Sequence, residues 1–126
     1  MKSLETKISK HLKERNWDNL RPADMAKSIM IEGAELLENF QWENLSLEEV
    51  KKNKAKMGEI EKELADVLIC AIQMAVLLKL DVEKIVLRKL KAVALKYPAA
   101  LMRQRKGEPG TEEVYWKIKK AYRGKL

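Results

Sequence analysis

The clearest chemical signal in this sequence is two pairs of acids, Glu32 with Glu35 and Glu63 with Asp66, each spaced by three residues. At the helical turn of about 100° per residue, Glu32 falls at the margin of an apolar face centred on Ile29, Gly33 and Phe40, and Glu35 lies one step further round. Glu38 falls on the far, solvated side. In the later segment Glu59, Glu63 and Asp66 share one narrow stripe, continued by Cys70 and Gln73, while the rest of the circumference is largely apolar. Carboxylates beside core-forming faces suffer desolvation and mutual repulsion unless a cation neutralises them. Four carboxylates without a histidine make a hard, all-oxygen donor set, which suits Mg²⁺ or Mn²⁺ and argues against zinc. Such an ion can polarise a phosphoryl oxygen and help to generate an attacking hydroxide. The competing reading is that the acids only solvate their helices, paired with Lys27, Lys56 or Lys62.

The acids need long helices to hold them, and the patterning supplies these. Leu4, Ile8 and Leu12 recur at helical spacing and predict a first amphipathic helix ending near Asn16-Trp17-Asp18-Asn19. Pro22 suits the first turn of a second helix reaching about Gln41. Ser46-Leu47-Glu48-Glu49 reads as a capping box for a third, which the stretch Lys51-Lys52-Asn53-Lys54 can interrupt. From about Met57 to Lys79 the pattern is apolar over most of the helix circumference. A lone monomer of this size cannot easily cover such a surface, so a homodimer or homotetramer is expected. Asp81 can cap a further helix that stops at Tyr97-Pro98, with a short one to about Arg105. Gly107-Glu108-Pro109-Gly110 breaks the pattern, and Thr111-Glu112-Glu113 can start a terminal helix through Tyr122.

At 126 residues, with five Gly and three Pro, the chain suits one all-α domain of modest core. We divide it into a helical domain over residues 1–105 and a basic C-terminal extension over 106–126, the latter a short helix packed on the body or on a partner subunit. The only cysteine, Cys70, lies in an apolar run, excluding an internal disulfide and predicting a buried thiol. The opening residues lack the apolar core of a signal peptide, and the run from Val67 to Leu78 is too short to span a bilayer, so a cytoplasmic protein without a membrane role is expected. The net charge of +7 is concentrated near the C-terminus, where nine Lys or Arg stand against three Glu from Lys96 onward. Charge runs of this kind usually form solvated faces, so nucleic acid is not the expected partner.

The segment Ile31-Glu32-Gly33-Ala34-Glu35-Leu36-Leu37-Glu38-Asn39-Phe40-Gln41-Trp42, followed by Glu63-Leu64-Ala65-Asp66-Val67-Leu68-Ile69, resembles the MazG-like nucleotide pyrophosphohydrolases, in particular the dCTP pyrophosphatase branch. Arg15-Asn16-Trp17-Asp18 and Lys96-Tyr97-Pro98 extend the likeness over roughly Leu12 to Pro98. The resemblance implies a helical bundle completed by oligomerisation, Mg²⁺ on Glu32, Glu35, Glu63 and Asp66, and attack of water on a nucleoside triphosphate to give the monophosphate and pyrophosphate. Glu35 and Glu63 then serve catalysis as well as metal binding. Glu59 joins them only through its place on the shared stripe, as a general base or as a support for the ligands.

Further contacts follow from the same resemblance. Lys89, Val93 and Lys96 form one stripe, so two ammonium groups can meet a triphosphate, and Tyr97 can add a hydroxyl. Relatives commonly carry Asn where Val93 stands, which removes a polar contact. Trp17 and Trp42 match aromatic positions on which a nucleobase can stack, although ordinary packing at helix ends explains them equally. Ile8 occupies the position where dCTP-specific relatives carry histidine; the sole histidine, His11, reads as a surface or interface residue. Tyr115, Trp116 and Tyr122 are expected to pack the terminal helix. Hydrolysis of dUTP or of phosphoribosyl-ATP is an alternative activity within the fold, and a non-catalytic helical module that contacts nucleic acid or an acidic partner is the alternative outside it.

Overall fold

Helices form wherever the apolar residues recur at helical spacing. A computed structural model of the protein describes residues 2–103 and 113–123, and among these no strand occurs and no helix is long and apolar enough to cross a membrane. Seven helices are present among the described residues: α1 (Lys2–Glu14), α2 (Pro22–Glu38), α3 (Leu47–Lys52), α4 (Lys54–Leu77), α5 (Val82–Lys96), α6 (Ala99–Met102) and α7 (Glu113–Tyr122). The breaker around Gly107–Gly110 lies outside the described residues.

The chain divides into two compact units, Met1–Val82 and Glu83–Leu126. In the first, α4 is the central element: α2 packs along it most extensively and α1 packs beside it. The core is small. Ile8 and Leu12 of α1 meet Ile72 of α4, flanked by Val76, Leu77 and Val82, and Leu12 is fully buried. Met25 and Ala75 are the other buried apolar residues among those described. On the outer faces Met30, Ile31 and Leu37 of α2 and Leu64, Leu68 and Ile69 of α4 remain exposed.

Local chemistry sets the helix ends. Asn16 takes a left-handed φ of 56°, a conformation that asparagine tolerates, while the Trp17 amide donates to the Leu12 carbonyl at 2.9 Å and closes α1. The capping box at Ser46 is formed in both directions: the Glu49 amide donates to the Ser46 hydroxyl at 3.2 Å, and the Ser46 amide donates to the Glu49 carboxylate at 3.3 Å. Asn53 interrupts the following helix, as the polar stretch there predicts. Its side-chain oxygen accepts from the Lys56 amide at 3.0 Å and starts α4 afresh.

In the second unit, α5 is followed by the single turn of α6, and α7 returns to it through an aromatic contact. Tyr97 and Tyr115 stack with ring centres 5.2 Å apart, and Trp116 meets Tyr115 edge-on at 5.3 Å. Of the three aromatic residues of the terminal helix, Tyr115 is half-buried, while Trp116 and Tyr122 are exposed.

Candidate metal centre

The α2–α4 pairing brings two acidic stripes face to face. Glu32 and Glu35 project from one helix and Glu63 and Asp66 from the other, and one carboxylate oxygen from each lies within 4.8 Å of all the others. Glu32 and Glu63 are half-buried and Asp66 is exposed. The deepest oxygens, Glu32 Oε2 and Glu63 Oε2, are shielded from solvent and have no hydrogen-bond partner. A buried acceptor left unpaired costs about 1–3 kcal/mol, and more when charged, so two at one point mark a site that lacks its counter-charge.

The lysines that could have neutralised the cluster are engaged elsewhere. Lys27 pairs with Asp24 at 3.8 Å and Lys62 with Glu59 at 3.3 Å. Lys56 Nζ donates to the Asn39 carbonyl at 2.6 Å and lies 3.7 Å from Glu43. Among the described residues no cation is paired with any of the four acids.

The electrostatics follow from this crowding. Glu32 is held above the ordinary carboxylate range first by burial, then by the close approach of the Glu35 carboxyl and by the charges of Asp66 and Glu63. Glu63 is raised by burial, then by the Glu35 and Asp66 carboxyls and the Glu59 charge. Beside them Cys70 is half-buried rather than buried, and its thiol is pushed up by burial and by Glu32 and Asp66. Its place on the acidic stripe keeps it out of the core.

The donor set fits a hard divalent cation. An octahedral ion about 2.1 Å from its oxygens sets them roughly 3.0 Å apart in cis and 4.2 Å in trans. The four oxygens, gathered within 4.8 Å of one another, lie close to that range. Four carboxylates offer oxygen alone, the ligand preference of Mg²⁺ and Mn²⁺.

The other candidate residues are distributed around the molecule. Glu59, one turn before Glu63, is exposed and outside the converging four, held by Lys62. Trp42 is 86% exposed just beyond α2, and Trp17 lies edge-on to His11 with ring centres 6.0 Å apart. Ile8 is a core residue and so offers packing in place of a polar contact. Lys89, Lys96 and Tyr97, in the second unit, line a single cavity there together with Val93. A groove of about 710 Å³ between α1 and the end of α4 contains none of the four acids.

Sequence periodicity misses Lys56, whose ammonium spans 17 residues to bind the end of α2 and lies 5.7 Å from the Phe40 ring centre. It fastens the C-terminus of α2 to the first turn of α4, the two helices that present the acids. No local pattern signals such a contact; a lysine in the first turn, where cations do not favour the helix dipole, is the nearest hint.

Comparison with known proteins bears on the family and the fold. The model of the MazG-like family matches residues 27–107, a span containing α2 through α6 apart from the first turn of α2. A crystal structure of a pyrophosphatase from Archaeoglobus fulgidus superposes with a TM-score of 0.68 at 36% sequence identity, covering 78% of this chain and 92% of that one. Comparison with curated proteins returns no match.

Proposed function

The chain belongs to the MazG-like family, and from that premise we propose that it hydrolyses (deoxy)nucleoside triphosphates, in a Mg²⁺- or Mn²⁺-dependent reaction, to the monophosphate and pyrophosphate. The observation that carries this reading is the convergence of four carboxylates with two buried, partnerless oxygens. The structural neighbour from Archaeoglobus, itself a pyrophosphatase, supports it.

In this reading Glu32, Glu35, Glu63 and Asp66 would hold the cation through their carboxylate oxygens. A divalent ion held there would supply positive charge to offset the phosphates and to polarise a phosphoryl oxygen. Water attacks the α-phosphorus and the bond to the bridging oxygen between the α and β phosphates breaks. Glu59 takes the proton of the attacking water as general base, held by its 3.3 Å ion pair with Lys62. Lys89, Lys96 and the Tyr97 hydroxyl contact the phosphate chain, while Trp17 and Trp42 offer faces for the base.

The exposed apolar side chains of α2 and α4 support assembly into a homodimer or homotetramer, since a core limited to a few buried residues leaves much of the apolar surface uncovered. A house-cleaning role toward non-standard nucleotides in the reducing cytoplasm suits a chain with one unpaired cysteine and no histidine at the Ile8 position. A nucleotide panel assayed with Mg²⁺ for both products tests the reaction. Equimolar monophosphate and pyrophosphate, abolished by EDTA and restored by Mg²⁺ or Mn²⁺, are expected; orthophosphate without pyrophosphate, or full activity in EDTA, contradicts the reading.

A further inference from the structure

The second unit contains a cavity of about 330 Å³ whose polar wall consists of cations and tyrosines: Lys89, Lys96 and Tyr97 from α5 and its end, and Lys119, Tyr122 and Arg123 from α7 and its end. Two of the cations are set against aromatic faces. Lys96 Nζ lies 5.1 Å from the Tyr97 ring centre and 5.0 Å from that of Tyr122, and Lys119 Nζ lies 5.7 Å from Tyr115 and 5.2 Å from Trp116. Both lysines are half-buried. Among the described residues no carboxylate is ion-paired with any of the four cations.

Four like charges around one cavity repel one another, and ring faces offset only part of that cost, because the electron density of a ring is a weak counter-charge. The rings do more for geometry than for energy. By holding the ammonium groups in place they remove side-chain entropy that an incoming anion would otherwise have to overcome. Lysine supplies point charges and Arg123 a planar fork, the combination that meets the oxygens of linked phosphates. A single carboxylate leaves most of the four charges uncompensated; a diphosphate satisfies them. A concave volume of this size suits a small ligand rather than an extended strand, which follows a groove along the surface.

We infer that α7 completes an anion pocket for the pyrophosphoryl part of a nucleotide, with Lys119 and Arg123 joining Lys89 and Lys96. The nature of the ligand rests on the hydrolase reading above; the pocket itself rests on the geometry of the second unit. Because α7 lies beyond residues 27–107, this contribution is an addition outside the segment matched to the family.

Calorimetric titration of the full chain with inorganic pyrophosphate tests the inference, in EDTA and at an ionic strength of about 0.15 M, where exposed charges are screened. Saturable binding to one pocket is expected, weakened at least about tenfold in the double variant Lys119→Ala with Arg123→Ala. Lys119→Arg, which keeps the charge, is expected to bind within about threefold of the parent and so separates lost charge from lost packing. Glu63→Gln, in the other unit, should bind pyrophosphate as the parent does. Equal binding by the double variant overturns the inference, as does a parent that ignores pyrophosphate and binds single-stranded DNA. The two readings fail separately. Pyrophosphate binding that depends on α7 in a protein that hydrolyses no nucleotide removes only the reaction, whereas hydrolysis with a KM and a pyrophosphate affinity untouched by the double variant removes only the pocket.

Discussion

The acidic cluster of the first unit and the basic cavity of the second are both gatherings of like charge on helix faces, and they are stabilised differently. The four acids meet across α2 and α4 with two buried oxygens unpartnered, and among the described residues no cation is ion-paired with them. In the basic cavity two of the ammonium groups rest against tyrosine and tryptophan rings, so its charge is partly accommodated before any ligand arrives. Carboxylates have no comparable attraction to an aromatic face, whose electron density repels them. On the proposed reading the acidic site depends on an ion for its charge balance, whereas the basic one is organised in part by its own aromatic rings.

Neutralising one ligand tests that contrast most severely. Asp66→Asn keeps the shape of the cluster but removes a charge, and the expected loss in kcat/KM of nucleotide hydrolysis is at least about 100-fold, beyond the range seen when only a supporting partner of a metal ligand is changed. The metal-free variant should melt no lower than the parent, because it relieves repulsion. A large drop in stability would assign Asp66 to the fold.

A smaller effect is expected from the strut beneath the cluster. Lys56→Met keeps most of the aliphatic packing and removes the 2.6 Å bond to the Asn39 carbonyl. A charged donor to a part-buried carbonyl contributes about 1.5–3 kcal/mol, which denaturant unfolding would read as a lowered midpoint at unchanged slope. An unchanged midpoint would show that α2 is held against α4 by apolar contact alone.

The gentlest test is pH. Glu32 and Glu63 titrate higher folded than unfolded, so the native state holds more protons between the two values. Their stabilising contribution is fully present below the unfolded value and is lost as pH rises through the folded one. The melting temperature of the metal-free protein should thus fall on going from about pH 5 to pH 7, while the increase produced by added Mg²⁺ grows over the same interval, because ions and protons compete for the same oxygens. A metal-free protein that becomes more stable over that range would contradict the crowding of these acids.

Much of this was legible in the sequence because it depends on local periodicity. The spacing of Glu32 with Glu35 and of Glu63 with Asp66 places each pair on one helix face, and the capping box at Ser46 sets its helix start through bonds three residues long. The limits appear where a contact spans the chain. The Lys56–Asn39 bond, the Tyr97–Tyr115 stack and the gathering of Lys119 and Arg123 with Lys89 all require a helix to return to an earlier segment, which no periodicity specifies. Cys70 illustrates a finer limit: an apolar neighbourhood predicts burial, but its register on the acidic stripe leaves the thiol half-buried.

Titration of metal-free protein with Mn²⁺, followed by the loss of the free-ion electron paramagnetic resonance signal, tests the cation site most directly. The expected result is saturable Mn²⁺ binding by the parent, competed by Mg²⁺ and weakened at least about tenfold in Asp66→Asn and in Glu63→Gln. Equal Mn²⁺ binding by parent and variants would show that the four carboxylates are not its ligands.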